Sequence, residues 1–260
     1  YNLGRGGAET MLVGVLPELQ EYRNIVVTLS PVNYFEDELV CDELICLNEP
    51  SLLTLPRAVF KLKKLVQKYK PDLVHSHLPQ SNFAARLSTP AGIPLITTIH
   101  TAISEAVDYK KKYIRFLDRF TYKYRPSKIV AVSKQALNDY FTVLKLKQEN
   151  AVVIYTFVDP KRFSTISKMP AEDKIELVTI GSLRRNKNFQ YLIEAFKFLK
   201  DENIQLDIYG QGPAYDELQH AIEEAGVNIY LKGQVSNIPE LLPTYHVFVM
   251  PSHSPSNLLS

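Results

Sequence analysis

The 260-residue chain lacks several features that mark specialised classes of protein. It contains no tryptophan and only two cysteines, Cys41 and Cys46. Residues five positions apart on an extended segment point to opposite faces, so we expect these cysteines to stay reduced and the protein to be cytoplasmic. The 45% hydrophobic and 22% charged content is ordinary for a folded chain. It excludes a disordered tail, a collagen-like fibre and a disulfide-stabilised mini-protein.

The chain also lacks a large net charge and a long apolar segment. Its 30 basic and 28 acidic residues leave a net charge of +2, too small for the whole chain to attract nucleic acid. No apolar run approaches the roughly 18 residues of a membrane span, and no signal peptide opens the sequence. We therefore expect a globular protein that binds no nucleic acid.

Short β-branched runs alternate along the chain with longer amphipathic segments. The apolar runs predict strands at Ile25–Leu29, Asp72–Ser76, Pro94–Ile99, Lys128–Val132, Ala151–Tyr155, Ile175–Ile180, Gln205–Tyr209, Val227–Leu231 and His246–Met250. Helical periodicity predicts helices around residues 11–19, 189–199 and 218–225, with Gly226 closing the last one. Apolar strands that alternate with helices are typical of an α/β protein with buried parallel sheets.

A polar segment without periodicity divides this pattern. It contains Asp159-Pro160 and Met169-Pro170, and a new strand begins at Ile175. The simplest interpretation is two Rossmann-like domains, over residues 1–156 and 175–260, joined by a linker over residues 157–174. The second domain has few predicted strands, so we expect it to be incomplete.

The most informative segment, Gly181–Lys187, has the sequence GSLRRNK and follows a predicted strand. Its three cations are predicted to lie in the first turn of the next helix, where each costs about 0.3–1 kcal/mol because the helix dipole is already positive there. A diphosphate would reverse this cost, since backbone N–H groups and the Arg184 guanidinium suit an anion. The alternative is a solvated basic loop.

Two further segments are candidates for ligand contact. Gly4–Glu9 opens the first helix, and its glycines allow close backbone approach, although a tight turn explains them equally well. Glu at position 9 breaks the dinucleotide fingerprint Gly-x-Gly-x-x-Gly. His100 follows a predicted strand, where α/β sheets bind ligands, although a lone histidine is often only packed. His75 and His77 share a strand face, but no third ligand accompanies them, so we predict no metal site.

Residues 109–125 combine aromatic and basic side chains at helical spacing. Positions 110–125 hold seven basic residues and one acidic residue, Asp118. We expect a helix whose aromatic stripe packs on the sheet, the stripe being Tyr113, Phe116, Leu117, Phe120 and Tyr124. The alternative is a basic face that rests on anionic lipid headgroups, to which each cation would contribute about 1 kcal/mol.

Short motifs occur in a fixed order along nearly the whole chain: Gly6–Glu9, Asp72–His77, Thr98–His100, Val130–Ser133, Val153–Tyr155, Val158–Pro160, Arg162-Phe163, Gly181–Lys187, Gly210–Pro213 and Val247–Ser252. Together they resemble the motifs of the retaining glycosyltransferases of the GT-B fold, family four. The resemblance implies two Rossmann-like domains facing a cleft. It also implies transfer of a sugar from a nucleotide diphosphate donor to a glycan or lipid-linked acceptor, with retained configuration.

The resemblance also implies roles for individual residues, namely Gly6, Gly7, His100, Gly181, Arg184, Lys187 and Val235. Arg184 and Lys187 would neutralise the diphosphate leaving group without a metal, beside Gly181. His100 would line the cleft near the transferred sugar. The glycines of the first loop would offer N–H groups to the donor phosphate or the acceptor, and the backbone near Val235 would contact the base. The nucleotide sugar would be a substrate, with no cofactor required. If the basic face of residues 109–125 is the part that contacts lipid, the protein would lie at the cytoplasmic face of an anionic membrane.

Two departures from the family pattern leave other hypotheses open. The family has a strand before the glycine loop, whereas this chain begins at Tyr1, and Pro255 stands where a donor-binding glutamate is expected. Both departures favour a fragment, and the absence of the expected glutamate pair also favours a non-catalytic module that binds nucleotide sugars or acts as a scaffold. A nicotinamide-dependent oxidoreductase or epimerase is a third hypothesis, which the broken fingerprint and the cationic loop disfavour.

Overall fold

The computed structural model describes residues 1–4, 6–157, 163, 174–200, 202–235 and 237–252. The strands are β1 (Ile25–Thr28), β2 (Glu43–Cys46), β3 (Val74–His77), β4 (Leu95–Ile99), β5 (Lys128–Ala131), β6 (Ala151–Val153), β7 (Ile175–Ile180), β8 (Ile204–Tyr209), β9 (Ile229–Gly233) and β10 (Val247–Phe248). The α-helices are α1 (Gly7–Val15), α2 (Leu55–Tyr69), α3 (Pro79–Ser88), α4 (Lys112–Tyr124), α5 (Lys134–Leu144), α6 (Phe189–Phe196), α7 (Tyr215–Ala225) and α8 (Ile238–Leu241). The α/β class is confirmed, and a strand occurs at each predicted place.

The chain divides into two compact units, with the boundary between Phe157 and Val158. We call Tyr1–Phe157 unit 1 and the part from Val158 onward unit 2. The predicted linker falls largely outside the described residues, so the predicted domain boundaries stay a prediction. The motif residues Val158–Pro160 and Arg162 also lie outside the described residues, as do Met169-Pro170 of the linker and Pro255.

Unit 1 contains a four-stranded parallel sheet in the order β3-β4-β5-β6 and a separate parallel pair, β1-β2. Helices α2 to α5 alternate along the chain with the strands of the larger sheet. The core between them is apolar and includes Phe83, Ile99, Ile129 and Tyr140. Strand β2 was not predicted, because it is only four residues long and Leu44 within it is exposed. Both cysteines are free.

A buried ion pair joins two helices of unit 1. Arg86 on α3 and Asp118 on α4 are fully buried, and their side chains are 2.5 Å apart. The hydroxyls of Tyr109 and Tyr140 donate hydrogen bonds to the Asp118 carboxylate. Arg86 also donates to Thr97 at 3.2 Å. Because buried charges need partners of this kind, the network fixes which face of α4 is turned toward the core.

The aromatic stripe of α4 is exposed, so the expectation that it packs on the sheet is wrong. Tyr113, Phe116, Phe120 and Tyr124 are 51–69% exposed, and only Leu117 of the stripe packs against the core. The buried residues of α4 are Ile114, Asp118, Thr121 and Tyr122. The buried face of the helix is therefore partly polar and its exposed face is aromatic, because the partners of Asp118 decide which face is buried.

Unit 2 contains a parallel sheet in the order β10-β7-β8-β9. Helices α6 and α7 pack on it through Phe189, Ile193, Leu218 and Ile222, as the helical periodicity predicts. Gly226 ends α7 in the left-handed conformation, with φ 58°, which confirms its predicted capping role. Among the described residues, no helix is both long enough and apolar enough to span a bilayer.

Candidate functional site

The sheet of unit 2 has a topological switch point between β7 and β10. Strands β8 and β9 extend the sheet on one side of β7, and β10 then pairs with its other side. In open α/β sheets, ligands bind outside the carboxyl ends of the strands at such a point. The segment Gly181–Lys187 leaves β7 there. The Asn188 side chain donates to the Pro251 carbonyl at 3.2 Å and so connects this segment to the residues that follow β10.

The sequence predicts the cations of this segment in the first turn of α6, and this prediction is wrong. The structure places them before the helix. Arg185–Lys187 forms a short 3-10 turn, and α6 begins at Phe189. Between them, Asn188 adopts the left-handed conformation, with φ 58° and ψ 33°. Asparagine tolerates this conformation, which ends the turn before the α-helix starts. The basic side chains therefore belong to the loop at the switch point itself.

Two glycines allow a second loop to cross this one closely. A Cβ atom at Gly210 would lie 1.8 Å from the Gly181 carbonyl oxygen, and one at Gly212 would lie 2.4 Å from that of Leu183. The Leu183 N–H donates to the Gln211 carbonyl at 2.9 Å. No side chain fits between backbones this close. The glycines therefore let the backbone of the cationic loop pack directly against the loop that follows β8.

The two candidate phosphate ligands differ in exposure. Arg184 is exposed, whereas Lys187 is only 2% exposed. The Cε atom of Lys187 and the ring of Phe189 both lie near Gly181. Burial lowers the pKa of the Lys187 ammonium, because desolvation disfavours its charged form. Arg185 is turned outward and pairs with Glu217 at 3.2 Å, with its side chain 86% exposed.

Val235 lies two residues beyond β9 and is half-buried. The Gly210 N–H donates to the Gly233 carbonyl at 2.8 Å, so the end of β9 is joined to the loop that follows β8. The structure thus groups Gly181, Arg184 and Lys187 in one loop, with Val235 beyond the neighbouring strand end. Contact between Val235 and a base stays a prediction.

In unit 1, His100 follows β4 at the carboxyl end of the sheet, as predicted. Its Nε2 atom lies 3.1 Å from Nδ1 of His77, which ends the neighbouring strand β3. The ring of His75 lies 4.2 Å from that of His77, and its Nε2 atom is 2.7 Å from the Thr98 hydroxyl. Burial lowers the pKa of His100 to about 4 and that of His77 still further, so both rings are neutral at pH 7.

The three histidines do not converge on one point, because His77 bonds to His100 whereas His75 bonds to Thr98. In the described part of the chain, no group of three or more His, Cys, Asp or Glu side chains is suited to hold a metal. Sequence reasoning missed the bond between His77 and His100. The order of the motifs could have indicated it, because successive parallel strands end at the same edge of a sheet.

Gly6 and Gly7 lie at the start of α1. Gly6 is the N-cap in an extended conformation, with no side-chain cap. A Cβ atom at Gly6 would lie 2.6 Å from the Glu9 carboxylate, so that side chain lies at the helix start. Burial raises the pKa of Glu9. A ligand phosphate at these glycines would have to share the helix start with Glu9.

Comparison with known proteins identifies the family. The family model for Glycosyltransferase Family 4 matches residues 5–162, and the model for Glycosyl transferases group 1 matches residues 161–256. A similar curated protein is the Campylobacter jejuni N-acetylgalactosamine-N,N'-diacetylbacillosaminyl-diphospho-undecaprenol 4-alpha-N-acetylgalactosaminyltransferase, 26% identical over 239 residues, covering 86% of this chain and 64% of the relative. Another is the Escherichia coli UDP-Gal:alpha-D-GlcNAc-diphosphoundecaprenol alpha-1,3-galactosyltransferase, 24% identical, covering 94% of this chain and 73% of the relative. The chain thus spans about two thirds of the length of these relatives.

Solved structures give the fold. HepE of Anabaena, crystallised with UDP and glucose, matches with a TM-score of 0.78 at 17% identity, covering 98% of this chain and 73% of that one. Sucrose-phosphate synthase of Thermosynechococcus elongatus matches with a TM-score of 0.74 at 15% identity, covering 95% of this chain and 70% of that one. These matches, with the parallel sheets of both units, establish the GT-B fold. The chain therefore belongs to the family 4 glycosyltransferases.

Proposed function

We propose that this protein transfers a sugar from a nucleotide diphosphate donor to a lipid-linked or glycan acceptor. One observation carries the proposal, namely that the loop Gly181–Lys187 leaves the sheet of unit 2 at its switch point. The loop that follows β8 packs against it at Gly210 and holds it there. Ligand sites of α/β proteins occur at this position. The cations there suit a diphosphate better than an uncharged substrate.

The chemistry of the transfer explains why the loop needs two different cations. Breaking the bond between the sugar and the nucleotide leaves a nucleoside diphosphate, whose negative charge grows as the bond lengthens. Arg184 would pair with phosphate oxygens through its planar guanidinium, and Lys187 would add a point charge from a desolvated position. Fixed cations that meet developing charge in a site without bulk water lower the barrier directly. We infer that the transfer needs no metal ion.

The other site residues complete the proposal. His100 would bond to a hydroxyl of the transferred sugar and orient it, and Gly6 and Gly7 would offer N–H groups to the phosphate or the acceptor. The family resemblance supports retention of anomeric configuration, and both named curated relatives act on diphospho-undecaprenol acceptors. We therefore expect a polyprenyl-diphosphate-linked sugar as the acceptor.

We also propose that α4 rests on an anionic lipid surface. Its exposed aromatic stripe includes Phe116 and Phe120, whose ring centroids are 6.3 Å apart. Exposed lysines flank it at Lys112 and Lys123, and two more precede the helix. This composition suits a lipid surface, because aromatic rings can enter the headgroup region while lysines pair with lipid phosphates. Such a surface would hold the enzyme beside a lipid-linked acceptor.

Liposome co-sedimentation tests this contact. Phe116→Ser with Phe120→Ser should reduce binding to vesicles of phosphatidylglycerol and phosphatidylcholine at least about 100-fold, since each buried ring contributes about 1.5–3 kcal/mol and each 1.4 kcal/mol is tenfold. Phe198→Ser, at an 89% exposed aromatic of unit 2, is the matched control and should bind like the wild type. Wild-type binding that ignores both lipid charge and salt would contradict the proposal.

A donor screen tests the transfer. The nucleotide sugar that the protein binds, added at about 100 times its Kd, should raise the free energy of unfolding by about 2.7 kcal/mol. This donor is then offered to the protein together with a polyprenyl-diphosphate-linked sugar as the acceptor. The proton coupling constant at the new anomeric centre reports whether configuration is retained. Chelator should leave the rate unchanged. A nucleotide sugar that binds without transfer to any acceptor would favour the non-catalytic alternative.

A further inference from the structure

Two neighbouring strand ends of unit 1 bring His77 and His100 into direct contact. Residues His77 and Thr98 are paired in the parallel register of β3 and β4, and His100 follows two residues after Thr98. The contact joins Nδ1 of His77 to Nε2 of His100 at 3.1 Å. The two ring centroids are 5.3 Å apart, and the ring planes are tilted by 37°. The sheet itself therefore holds the two rings together.

This contact couples the protonation of the two rings. A neutral imidazole has one N–H donor and one acceptor nitrogen. Both rings are neutral at pH 7, so one proton lies between them and belongs to one ring. If His77 donates, Nε2 of His100 is the acceptor, and the single N–H proton of His100 lies on Nδ1. If His100 donates, its Nδ1 atom must be an acceptor. Each arrangement pairs one tautomer of His77 with one tautomer of His100, so the bond links the tautomers of the two rings.

The remaining nitrogen of His100 is the one available to a ligand. Its Nε2 atom is engaged by His77, while its Nδ1 atom makes no hydrogen bond to any residue that the structure describes. We propose that His77 is a positioning residue for His100, fixing its tautomer and ring plane so that Nδ1 meets a hydroxyl of the transferred sugar. This inference rests on the proposed function. The inference adds His77 to the residues that serve the reaction. His77 acts through His100 and does not touch the substrate.

The neighbouring His75 supplies a matched control. It lies against the His77 ring, but its Nε2 atom bonds to Thr98 rather than to His100. Removing its side chain would disturb packing at the same strand end and leave the bond between His77 and His100 intact. A change seen with His77 and absent with His75 would therefore come from the bond.

The first readout needs no donor and no activity. In the 15N-labelled protein at pH 7, the two ring nitrogens of His100 should show widely separated shifts, as expected for one tautomer. His77→Phe keeps an aromatic ring and removes the bond, so the two shifts should approach each other. His77→Asn offers an amide near the position of Nδ1 and should restore the separation. His75→Asn should leave the wild-type pattern.

The second readout is transfer by the protein. With His77→Phe, kcat should fall about 10- to 100-fold while KM for the donor changes less than about threefold, because ring orientation matters most in the transition state. His77→Asn should recover kcat to within about threefold of wild type. A purely structural role would instead lower stability and kcat together in both variants.

Two results would overturn the proposal. One is averaged nitrogen shifts for His100 in the wild type, a measurement that stands even if His77→Phe fails to fold. The other is His77→Phe with an unchanged tautomer and unchanged kcat. Absence of transfer by the wild type with every donor and acceptor would refute the proposed function alone, since the tautomer measurement would still test the bond.

Discussion

Replacing Lys187 by methionine separates its charge from its packing. Methionine keeps an unbranched apolar chain beside Gly181 and Phe189 and removes the ammonium group. Lys187 is 2% exposed, burial lowers the pKa of its ammonium, and methionine conserves most of the buried volume of its side chain. We therefore expect the free energy of unfolding to change by less than about 1 kcal/mol in Lys187→Met.

UDP, the nucleoside diphosphate in the HepE crystals, serves as the probe of the proposed diphosphate site, and its binding should respond much more strongly. A charge-assisted hydrogen bond contributes about 1.5–3 kcal/mol, and each 1.4 kcal/mol is tenfold in affinity. The Kd for UDP in Lys187→Met should therefore rise about 10- to 150-fold. Combining it with Arg184→Ala should weaken binding by several kcal/mol.

Isothermal calorimetry at fixed ionic strength measures these affinities, and urea unfolding measures stability in the same samples. Arg185→Ala is the matched control, because Arg185 lies in the same loop but points outward to Glu217. Its Kd should stay within about threefold of wild type, as for an exposed ion pair worth about 0–1 kcal/mol. A folded Lys187→Met protein that binds UDP within about twofold of wild type would refute the assignment of the loop.

Three further predictions concern the framework of the site. Asp118→Ala should lower the free energy of unfolding by about 3–5 kcal/mol in urea unfolding, because it leaves the Arg86 charge buried without its partner; a loss below 1 kcal/mol would argue against a buried pair. Gly210→Ala should abolish UDP binding or folding, since its Cβ would lie 1.8 Å from the Gly181 carbonyl oxygen; normal binding would contradict the crossing. The pKa of His100 is about 4 in the folded protein, so the unfolded chain binds its proton first as the pH falls below about 6.5. The contribution of His100 to stability should thus be full above pH 6.5 and fall by up to about 3 kcal/mol toward pH 4. This loss is in addition to the losses from His75 and His77, whose pKa values burial also lowers, and His100→Phe should reduce the slope by its own share.

The features that could be predicted from the sequence are those that depend on a local pattern of residues. Apolar runs such as Ile175–Ile180 mark strands buried in parallel sheets, and Gly226 marks a helix end. The position of His100 at a strand end followed from the same pattern. These predictions were correct because hydrophobic periodicity and turn chemistry depend on only a few neighbouring residues.

What the sequence could not predict depends on contacts between distant residues. The buried face of α4 is set by Arg86, which lies 32 positions from Asp118. An acidic residue on a helix otherwise indicates a solvent-facing side. The position of the cations before α6 depends on one left-handed residue, Asn188. The bond between His77 and His100 likewise needs the strand register, which periodicity does not give.

A crystal structure of the protein soaked with UDP tests most directly whether the switch-point loop holds the diphosphate. We predict phosphate oxygens within about 3 Å of the Arg184 guanidinium and the Lys187 ammonium, at the carboxyl end of β7. UDP bound elsewhere, with the side chains of Arg184 and Lys187 apart from its phosphates, would contradict the proposed donor site.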